Sequence, residues 1–296
     1  MLDQAKILRG LVEQRQAAPR ITAASAGAQR ARTIAICSGK GGVGKSVISL
    51  NLAIALQRLG KSVCVLDACL GLGSIDLLCG LNGYWNLSHV VTGARSLNDV
   101  LLKGPEGVHV VCGASGLVDL ADVPENVQRE LIFRMEELER THDILIVDTS
   151  TGIHRTVRQF ATAADQVLVV TMPETTAIAD AYATVKALGT PDAPPIDLIV
   201  NQADSAMQAK TIANRIQQTS RTFLRSAISL AGHISRDPAV VRSVAQREPY
   251  MISAPNSPAA TDTHQLARRL LSMSGSLSTM QSYFDRFWHK QRGRAA

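Results

Sequence analysis

The stretch T-I-A-I-C-S-G-K-G-G-V-G-K-S, residues 33–46, decides the fold of this chain. Its first five residues form an apolar, β-branched run typical of a buried strand, and residues 39–46 fit the phosphate-binding pattern G-x-x-x-x-G-K-[ST]. In such a loop, successive backbone N–H groups turn towards phosphate oxygens, and the helix that begins there adds its positive end. The predicted phosphate-binding residues lie in or next to this loop: Gly39, Lys40, Gly41, Gly42, Val43, Gly44, Lys45, Ser46 and Val47.

The chemistry of the loop predicts a nucleoside triphosphate and Mg²⁺ as the bound groups. Lys45 is placed to meet the β- and γ-phosphates, and the Ser46 hydroxyl is placed to bind Mg²⁺. Asp148 ends another apolar run, at D-T-S-T-G (148–152), where a carboxylate can hold Mg²⁺ through water. We therefore predict that Ser46 and Asp148 lie at the metal.

From residue 33 to about residue 272, apolar runs alternate with helical patterns. Because each run is apolar throughout, it predicts a strand that is buried on both faces. The alternation predicts an α/β fold with a doubly wound, mostly parallel sheet, and it places ligands at the carboxyl ends of the strands. The runs lie at 33–37, 62–67, 108–112, 143–148, 166–171 and 196–201, and the helical patterns lie at about 44–59, 125–140, 153–163, 174–188 and 207–219.

The composition excludes several classes of protein. The 296 residues are 46% hydrophobic and 19% charged, which is typical of a globular chain and not of a disordered one. No stretch approaches the ~18 to 20 apolar residues that span a bilayer, and the five cysteines lack metal-ligand spacing, which favours a reducing cytoplasm. The net charge of +6 lies in the tails, because residues 33–272 carry 21 basic against 22 acidic side chains. We therefore expect no specific nucleic-acid partner.

Two segments flank the predicted domain at 33–272. Residues 1–32 contain a short helix with an apolar stripe, followed by an Ala-rich tether, and this helix either binds a partner or docks on its own domain. Residues 273–296 end in an amphipathic helix rimmed by basic charge, a composition typical of a helix on an anionic membrane surface. Packing of that helix on the protein's own core is the alternative. The residues predicted to face the membrane are Met280, Phe284, Phe287 and Trp288.

Lys40, an additional lysine inside the loop, makes the chain resemble the MinD/ParA group of P-loop ATPases. The resemblance implies an ATP-dependent homodimer in which Lys40 reaches the partner's phosphates, where a cation offsets charge that develops during phosphoryl transfer. It also implies catalytic roles for Lys45 and for Asp67, which ends the run at 62–67, and it places Asn201 beside the adenine. A solvated loop lysine is the alternative for Lys40.

Four stretches carry a closer resemblance: D-Q-A-K-I-L-R (3–9), D-A-C-L-G-L-G-S-I-D-L-L-C-G (67–80), I-A-D-A-Y-A-T-V-K (178–186) and R-D-P-A-V-V-R-S-V-A-Q-R-E-P (236–249). They are similar to the flagellar-number regulator subfamily, called FlhG or FleN. The resemblance implies an ATPase that regulates flagellar number or placement. It also implies a location in the cytoplasm, peripheral at the inner face of the cell membrane when ATP is bound.

The same resemblance implies protein partners. The N-terminal helix is expected to stimulate a signal-recognition-type GTPase (FlhF-like), with flagellar switch proteins or a flagellar transcription regulator as further candidates. The residues expected to act on the GTPase are Asp3 and Gln4, with Ile7, Leu8 and Leu11 docking.

One residue departs from the family pattern D-x-D, because the sequence reads Asp67-Ala68-Cys69. The second acid of that pattern orients the water that attacks the γ-phosphate, whereas a thiol is a weak hydrogen-bond acceptor. The unperturbed thiol pKa of about 8.5 also leaves it mostly neutral near pH 7. We therefore expect Cys69, at a catalytic position, to slow hydrolysis. A redox-sensitive thiol is the alternative.

Two questions stay open on the sequence alone. A ParA-like ATPase for DNA or cargo partitioning, or a MinD-like ATPase for positioning cell division, would share this fold. Asn201-Gln202-Ala203-Asp204 approximates the guanine-reading N-K-x-D of GTPases with the lysine lost, whereas an asparagine at this place faces adenine in MinD-like proteins. We favour ATP over GTP.

Overall fold

The computed structural model of the chain describes residues 30–69, 75–113, 125–190, 193–224, 227–273 and 281–292. All the predicted partner-binding residues lie outside these ranges, as does one predicted membrane-facing residue. They are Asp3, Gln4, Ile7, Leu8, Leu11 and Met280. The helix at 3–16 and its tether therefore stay predictions.

An eight-stranded sheet forms the centre of the described chain, in the order β3-β4-β2-β5-β1-β6-β7-β8. Neighbouring strands are parallel except β3 and β4, which are antiparallel. This arrangement confirms the predicted fold class. The strands are β1 (Arg32–Ser38), β2 (Val63–Ala68), β3 (Leu101–Lys103), β4 (His109–Val111), β5 (Ile144–Thr151), β6 (Gln166–Thr171), β7 (Ile196–Ala203) and β8 (Ser229–Ser235).

Helices cover both faces of the sheet. In β1, Ile34 and Ile36 belong to one apolar cluster and Ala35 and Cys37 to the other, so alternate side chains enter opposite layers of the core. The helices are α1 (Lys45–Arg58), α2 (Ile75–Leu78), α3 (Leu87–Val91), α4 (Leu97–Val100), α5 (Glu125–Thr141), α6 (Arg155–Ala163), α7 (Thr175–Leu188), α8 (Ala206–Leu224), α9 (Pro238–Gln246), α10 (Tyr250–Ser253), α11 (Pro258–Ser272) and α12 (Tyr283–Arg292).

Two strands of the sheet, β3 and β8, were not among the predicted runs. The three residues of β3 form the antiparallel edge beside β4. The sequence of β8, S-L-A-G-H-I-S, contains Gly232 and His233, and the strand is only partly buried at the opposite edge. An edge strand faces solvent along one side, so it lacks the continuous apolar run that identified the central strands.

The sheet order brings three strand ends together at one site. Because β5 lies between β2 and β1, Asp67 pairs in register with Asp148, and Ile36 of β1 pairs with Asp148 from the other side. The phosphate-binding loop follows β1 directly. Residues that are about 80 to 110 positions apart in sequence thus meet at the carboxyl edge of the sheet.

The helix that carries the predicted membrane-facing residues Phe284, Phe287 and Trp288 packs on the core in this structure. Their exposed fractions are 2%, 2% and 5%, and the Phe287 ring stacks on Phe160 of α6 with ring centroids 4.6 Å apart. The alternative, a terminal helix docked on its own domain, is therefore what this structure contains. Within the described ranges, no helix combines the length and the apolar character needed to span a membrane.

Polar contacts fix the start of α12 against α5. Both carboxylate oxygens of Glu139, which is 2% exposed, accept hydrogen bonds: from the Ser282 hydroxyl at 2.7 Å and from the backbone N–H groups of Tyr283 at 3.1 Å and Phe284 at 3.3 Å. A carboxylate at a helix N-terminus satisfies free N–H groups and favours the helix dipole. The segment at 273–296 is therefore not a separate unit where the structure describes it.

Candidate nucleotide-binding site

The loop between β1 and α1 has the backbone of a phosphate cradle. Gly44 adopts φ +86°, and a Cβ on it would lie 2.4 Å from the Asn201 amide nitrogen, so only glycine fits there. In contrast, a Cβ on Gly41 or Gly42 would meet nothing within 4 Å. The loop therefore leaves open space beside its backbone N–H groups, and this is the space that a phosphate needs.

Three side chains of α1 converge on the Asp148 carboxylate. The Ser46 hydroxyl donates to Oδ2 at 2.6 Å, while the Ser49 hydroxyl and the Lys45 ammonium donate to Oδ1 at 2.9 Å and 3.1 Å. Asp148 is fully buried and Lys45 is 6% exposed. Burial lowers the pKa of Lys45, but the neighbouring groups, led by the Asp148 carboxylate, together outweigh burial, so the pKa is raised and the ammonium stays charged.

Asp67 adds a second buried carboxylate next to Asp148. Its oxygens accept hydrogen bonds from the backbone N–H groups of Cys69 at 3.1 Å and Ile75 at 3.2 Å. Burial raises the pKa of Asp67, the charge of Asp148 raises it further, and the two backbone donors oppose both effects. Two neighbouring carboxylates that repel each other favour a cation between them.

Cys69 lies inside this acidic cluster as a neutral thiol. Its sulfur is 3.7 Å from Asp148 Oδ2, 3.5 Å from the Thr149 carbonyl oxygen and 4.0 Å from Lys45 Nζ. Burial raises the pKa of Cys69 well above its ordinary value, and the Asp148 carboxylate raises it further. This supports the expectation of a neutral group at this position. It also disfavours the redox alternative, because a reactive cysteine needs thiolate character.

The oxygen donors of this cluster fit Mg²⁺. One atom from each of Asp67, Cys69 and Asp148 lies within 4.8 Å of the others, and Ser46 adds a hydroxyl at Asp148. Hard carboxylate and hydroxyl oxygens are the ligands that Mg²⁺ prefers, whereas the thiol is a poor one. A cation held at this place would supply positive charge that offsets the charge of bound phosphates. Ser46 and Asp148 would hold it, beside the open loop that would accept the phosphates.

Lys40 has two polar partners within its own chain in this structure. Its ammonium forms an ion pair with the Glu174 carboxylate and donates to the Thr176 hydroxyl at 3.0 Å. Both partners belong to the start of α7. Lys40 and Glu174 are partly exposed, at 34% and 48% of their side chains, so the lysine lies at the surface of the site.

A cavity of about 800 Å³ opens beside the loop on the side of β7 and β8. Its walls are mostly apolar, which suits a flat heterocyclic base. Asn201 lies in the wall and donates through Nδ2 to the Val43 carbonyl oxygen at 2.7 Å, so its amide supports the phosphate loop. The residues that line the cavity include Gly44, Val47, Ile48, Asn201, Gln202, Arg236, Val240, Val241, Arg242, Val244 and Tyr250.

Three residues that contribute to the site were not predicted as site residues. Ser49 could have been found, because it lies one helical turn after Lys45 and so shares its face. Glu174 lies in the stretch M-P-E-T-T (172–176), which has no sign of a partner 134 residues away. Arg236 lies in the late run at 236–249, where sequence offers no signal that it lines a cavity.

A glycine-rich loop between a strand and a helix, with Lys45, Ser46 and Asp148 gathered at a sheet edge, defines a P-loop nucleotide-binding protein. Residues 34–250 match the model of the CobQ/CobB/MinD/ParA nucleotide binding domain. The chain belongs to this family and is an ATPase of the MinD/ParA type, with ATP and Mg²⁺ as its bound groups. The predicted family is thereby confirmed.

Relatives within the family include flagellar proteins. The antiactivator FleN of Pseudomonas aeruginosa is 35% identical over 240 residues, which cover 81% of this chain and 86% of the relative. The flagellum site-determining protein YlxH of Helicobacter pylori is 31% identical over 260 residues, which cover 86% of this chain and 88% of the relative. A structure of the MinC:MinD cell division complex of Aquifex aeolicus matches 84% of this chain and 99% of the matched chain, with a TM-score of 0.65 and 26% identity.

Proposed function

We propose that this chain is an ATP-switched regulator of flagellar number or placement. The observation that carries the proposal is the similarity to FleN and YlxH over more than four fifths of the chain. The site also contains the phosphate loop with its additional lysine, Lys40. Division positioning and DNA partitioning are activities of the same fold class. The near-neutral domain at 33–272 gives the partitioning activity little electrostatic support.

In this proposal, ATP brings two copies of the chain together through the faces that carry Lys40. Lys40 would leave Glu174 and meet the phosphates held by the partner. Its side chain is 34% exposed in one chain, so it is accessible to a second copy. Lys45, Ser46 and Asp148 would hold the phosphates and the metal within each copy.

Hydrolysis is proposed to be slow because Cys69 is neutral. Its sulfur faces the Thr149 carbonyl and the Asp148 carboxylate, and both are acceptors. The thiol hydrogen is therefore directed towards the protein, and the sulfur is a weak acceptor for a water proton. The ATP-bound state would then persist.

We propose the partners of this chain from the resemblance of its N-terminal and C-terminal segments to those of MinD-type regulators. The N-terminal helix at 3–16 would act on a signal-recognition-type GTPase, and a flagellar switch protein or transcription regulator would receive the ATP-bound dimer. Peripheral association with an anionic membrane would require α12 to leave the core, because its aromatic face is buried against α6. The proposed membrane-bound form therefore differs from the structure described above.

The proposal is tested first by self-association. Light scattering coupled to size-exclusion chromatography, with ATP, with ADP and without nucleotide, should show a dimer with ATP alone. Lys40→Ala should abolish the dimer, whereas Lys210→Ala, at an exposed lysine of α8, should leave it intact. A monomer under all three conditions would contradict the switch.

The flagellar role is tested in cells that carry the gene. Deletion should change the number or position of flagella, counted by electron microscopy, and the wild-type gene but not Lys40→Ala should restore it. Normal flagella in the deletion strain would reject the flagellar role. Misplaced division septa, or binding of the purified protein to random duplex DNA, would favour the two alternatives.

A further inference from the structure

The stretch Asn201-Gln202-Ala203-Asp204 leaves a question that the phosphate site does not answer. In a guanine-reading N-K-x-D, the carboxylate accepts hydrogen bonds from the base. Here Asp204 stands at the corresponding place in the sequence, two residues after Gln202 of the cavity wall, and it contacts Arg236, which also lines that cavity. A carboxylate free to accept hydrogen bonds from the base would favour guanine. If the site is to bind adenine, other groups must occupy or neutralise the Asp204 carboxylate.

Sheet register places an arginine beside that carboxylate. Ala203 at the end of β7 pairs with Ser235 at the end of β8, so the residues that follow, Asp204 and Arg236, leave the sheet side by side. The backbone N–H of Arg236 donates to the Ala203 carbonyl oxygen at 2.9 Å. Arg236 Nε then donates to Asp204 Oδ1 at 3.0 Å. The ion pair is therefore built into the ends of two adjacent strands.

The second oxygen of the same carboxylate is also engaged. Gln208 Nε2, in the first turn of α8, donates to Asp204 Oδ2 at 3.1 Å, and Gln208 Oε1 accepts from the Asp204 backbone N–H at 2.8 Å. Each oxygen of Asp204 thus has a donor from the chain itself. A base would have to replace one of them to use this carboxylate.

The chemistry of the two purines makes this arrangement selective. Guanine offers adjacent N1–H and N2–H donors, which a free carboxylate binds strongly. Adenine offers an unprotonated N1 at the same edge, and its lone pair is repelled by a free carboxylate. Arg236, which itself lines the cavity, neutralises that repulsion.

We infer that the Arg236–Asp204–Gln208 contact sets the preference of this site for adenine over guanine, with Arg236 as the specificity-determining residue. The inference rests on the nucleotide site described above and deepens it. It does not depend on the flagellar role. Because Asp204 and Arg236 are each 60% exposed, the pair adds little to stability, and its effect lies in the charge that it presents to the base.

The test is the ratio of GTP to ATP dissociation constants, measured by calorimetry with Mg²⁺ on the full chain. Arg236→Met keeps the apolar stem and frees Asp204 Oδ1, and it should lower the ratio about tenfold or more, since hydrogen bonds to a charged group contribute about 1.5–3 kcal/mol. GTP should then also bind more tightly than ITP, which lacks the 2-amino donor. Arg236→Lys should stay near wild type, because it retains the cation.

Two further variants separate an effect on base specificity from a general effect on nucleotide affinity. Adding Asp204→Asn to Arg236→Met should restore the wild-type ratio, because the carboxylate is gone. Arg215→Met removes an exposed arginine of α8 outside the cavity wall and should leave the ratio unchanged. An unchanged ratio in Arg236→Met, equal loss of both nucleotides, or a shift that persists without Asp204 would each overturn the inference. Wild-type protein that binds neither nucleotide would instead refute the nucleotide site itself.

Discussion

Lys40 forms an ion pair with Glu174 of its own chain, although its position in the loop predicts that it serves a second copy. The contact joins the phosphate loop to the start of α7, the helix whose N-terminus faces the same surface. No local sequence pattern predicts this contact, because the two residues lie 134 positions apart. The pair gives Lys40 a binding partner in the monomer that competes with the proposed dimer.

Removing this competition should strengthen self-association. Glu174→Gln replaces the carboxylate with an amide of similar size, so Lys40 keeps a hydrogen-bond acceptor but loses the opposite charge. Because exposed ion pairs contribute about 0.2–1 kcal/mol, the dimer dissociation constant with ATP should fall by up to about fivefold. Sedimentation velocity over a concentration series measures it.

Glu130→Gln is the matched control for this prediction. Glu130 pairs with Arg134 on the surface of α5 and is similarly exposed, at 57% of its side chain. The substitution removes one exposed ion pair without touching the loop, so self-association should not change. Weaker association of Glu174→Gln would mean that the carboxylate supports the dimer, contrary to the competition described here.

Substitution of Cys69 should reveal how much the missing carboxylate limits hydrolysis. Cys69→Asp restores an acceptor for the attacking water, and single-turnover hydrolysis of bound ATP should accelerate by about 10² or more, the usual contribution of a positioned base. Cys69→Ser removes the sulfur without adding a charge and should stay slow. Equal rates for all three proteins would show that Asp67 or another group already positions the water.

The sequence predicts most of the fold and the phosphate part of the site, and the reasons are physical. Central parallel strands must be apolar on both faces, so their runs are visible without any tertiary information. The loop at 39–46 is equally visible, because its glycines and its lysine are required by phosphate chemistry. The positions of Ser46, Lys45 and Asp148 follow once β1 and β5 lie side by side.

Other features depend on packing that no local pattern encodes. A helix with Phe284, Phe287 and Trp288 on one face can lie on a membrane or in a core, since both environments are apolar. What decides between them here is Glu139 on α5 and the ring of Phe160 on α6, more than 120 residues away. The Arg236–Asp204 contact similarly depends on the register of an edge strand that was not predicted.

Loss of the Glu139 carboxylate should release α12. Glu139→Ala leaves the first N–H groups of the helix without their buried acceptor, at a cost of about 1–3 kcal/mol. The fraction of molecules with α12 undocked should rise by roughly five- to 150-fold. Hydrogen exchange of the amides at 283–292 measures this opening, and it should quicken in the variant while exchange in β1 and β5 is unchanged.

The same variant tests the proposed route to the membrane. If undocking of α12 is required, Glu139→Ala should co-sediment with anionic vesicles more than wild type does without nucleotide. Glu130→Ala, on the exposed surface of the same helix α5, should behave as wild type. Faster exchange without any gain in vesicle binding would separate the docking contact from the membrane role and reject the latter.

His109 and His142, at the amino ends of strands β4 and β5, should make the stability of the fold depend on pH. His142 Nδ1 lies 2.9 Å from the Leu138 carbonyl oxygen, which can only accept, so Nδ1 carries the proton. His142 Nε2 must then accept from His109 Nδ1, at 2.7 Å. Protonation of His142 at Nε2 would place two donors face to face.

Both histidines resist protonation in the folded chain. Burial lowers the pKa of His109, and Lys103 lowers it further. Burial also lowers the pKa of His142, where His109 adds to the effect and the Leu138 carbonyl and Asp143 oppose it. The unfolded chain takes up these protons near pH 6.5, whereas the folded chain does so only at lower pH. The contribution of the two histidines to the free energy of unfolding should therefore be fully present above about pH 6.5 and be lost as the pH drops below it.

Urea unfolding at pH 7.5 and pH 5.5 measures this dependence. The wild-type midpoint should fall on acidification, and a His109→Asn, His142→Gln double variant should lose less over the same interval, because its amides can still donate and accept but do not titrate. Carboxylates that titrate near the lower pH are common to both proteins and cancel in the comparison. An equal fall in the two proteins would assign the acid sensitivity to those carboxylates and not to the imidazole pair.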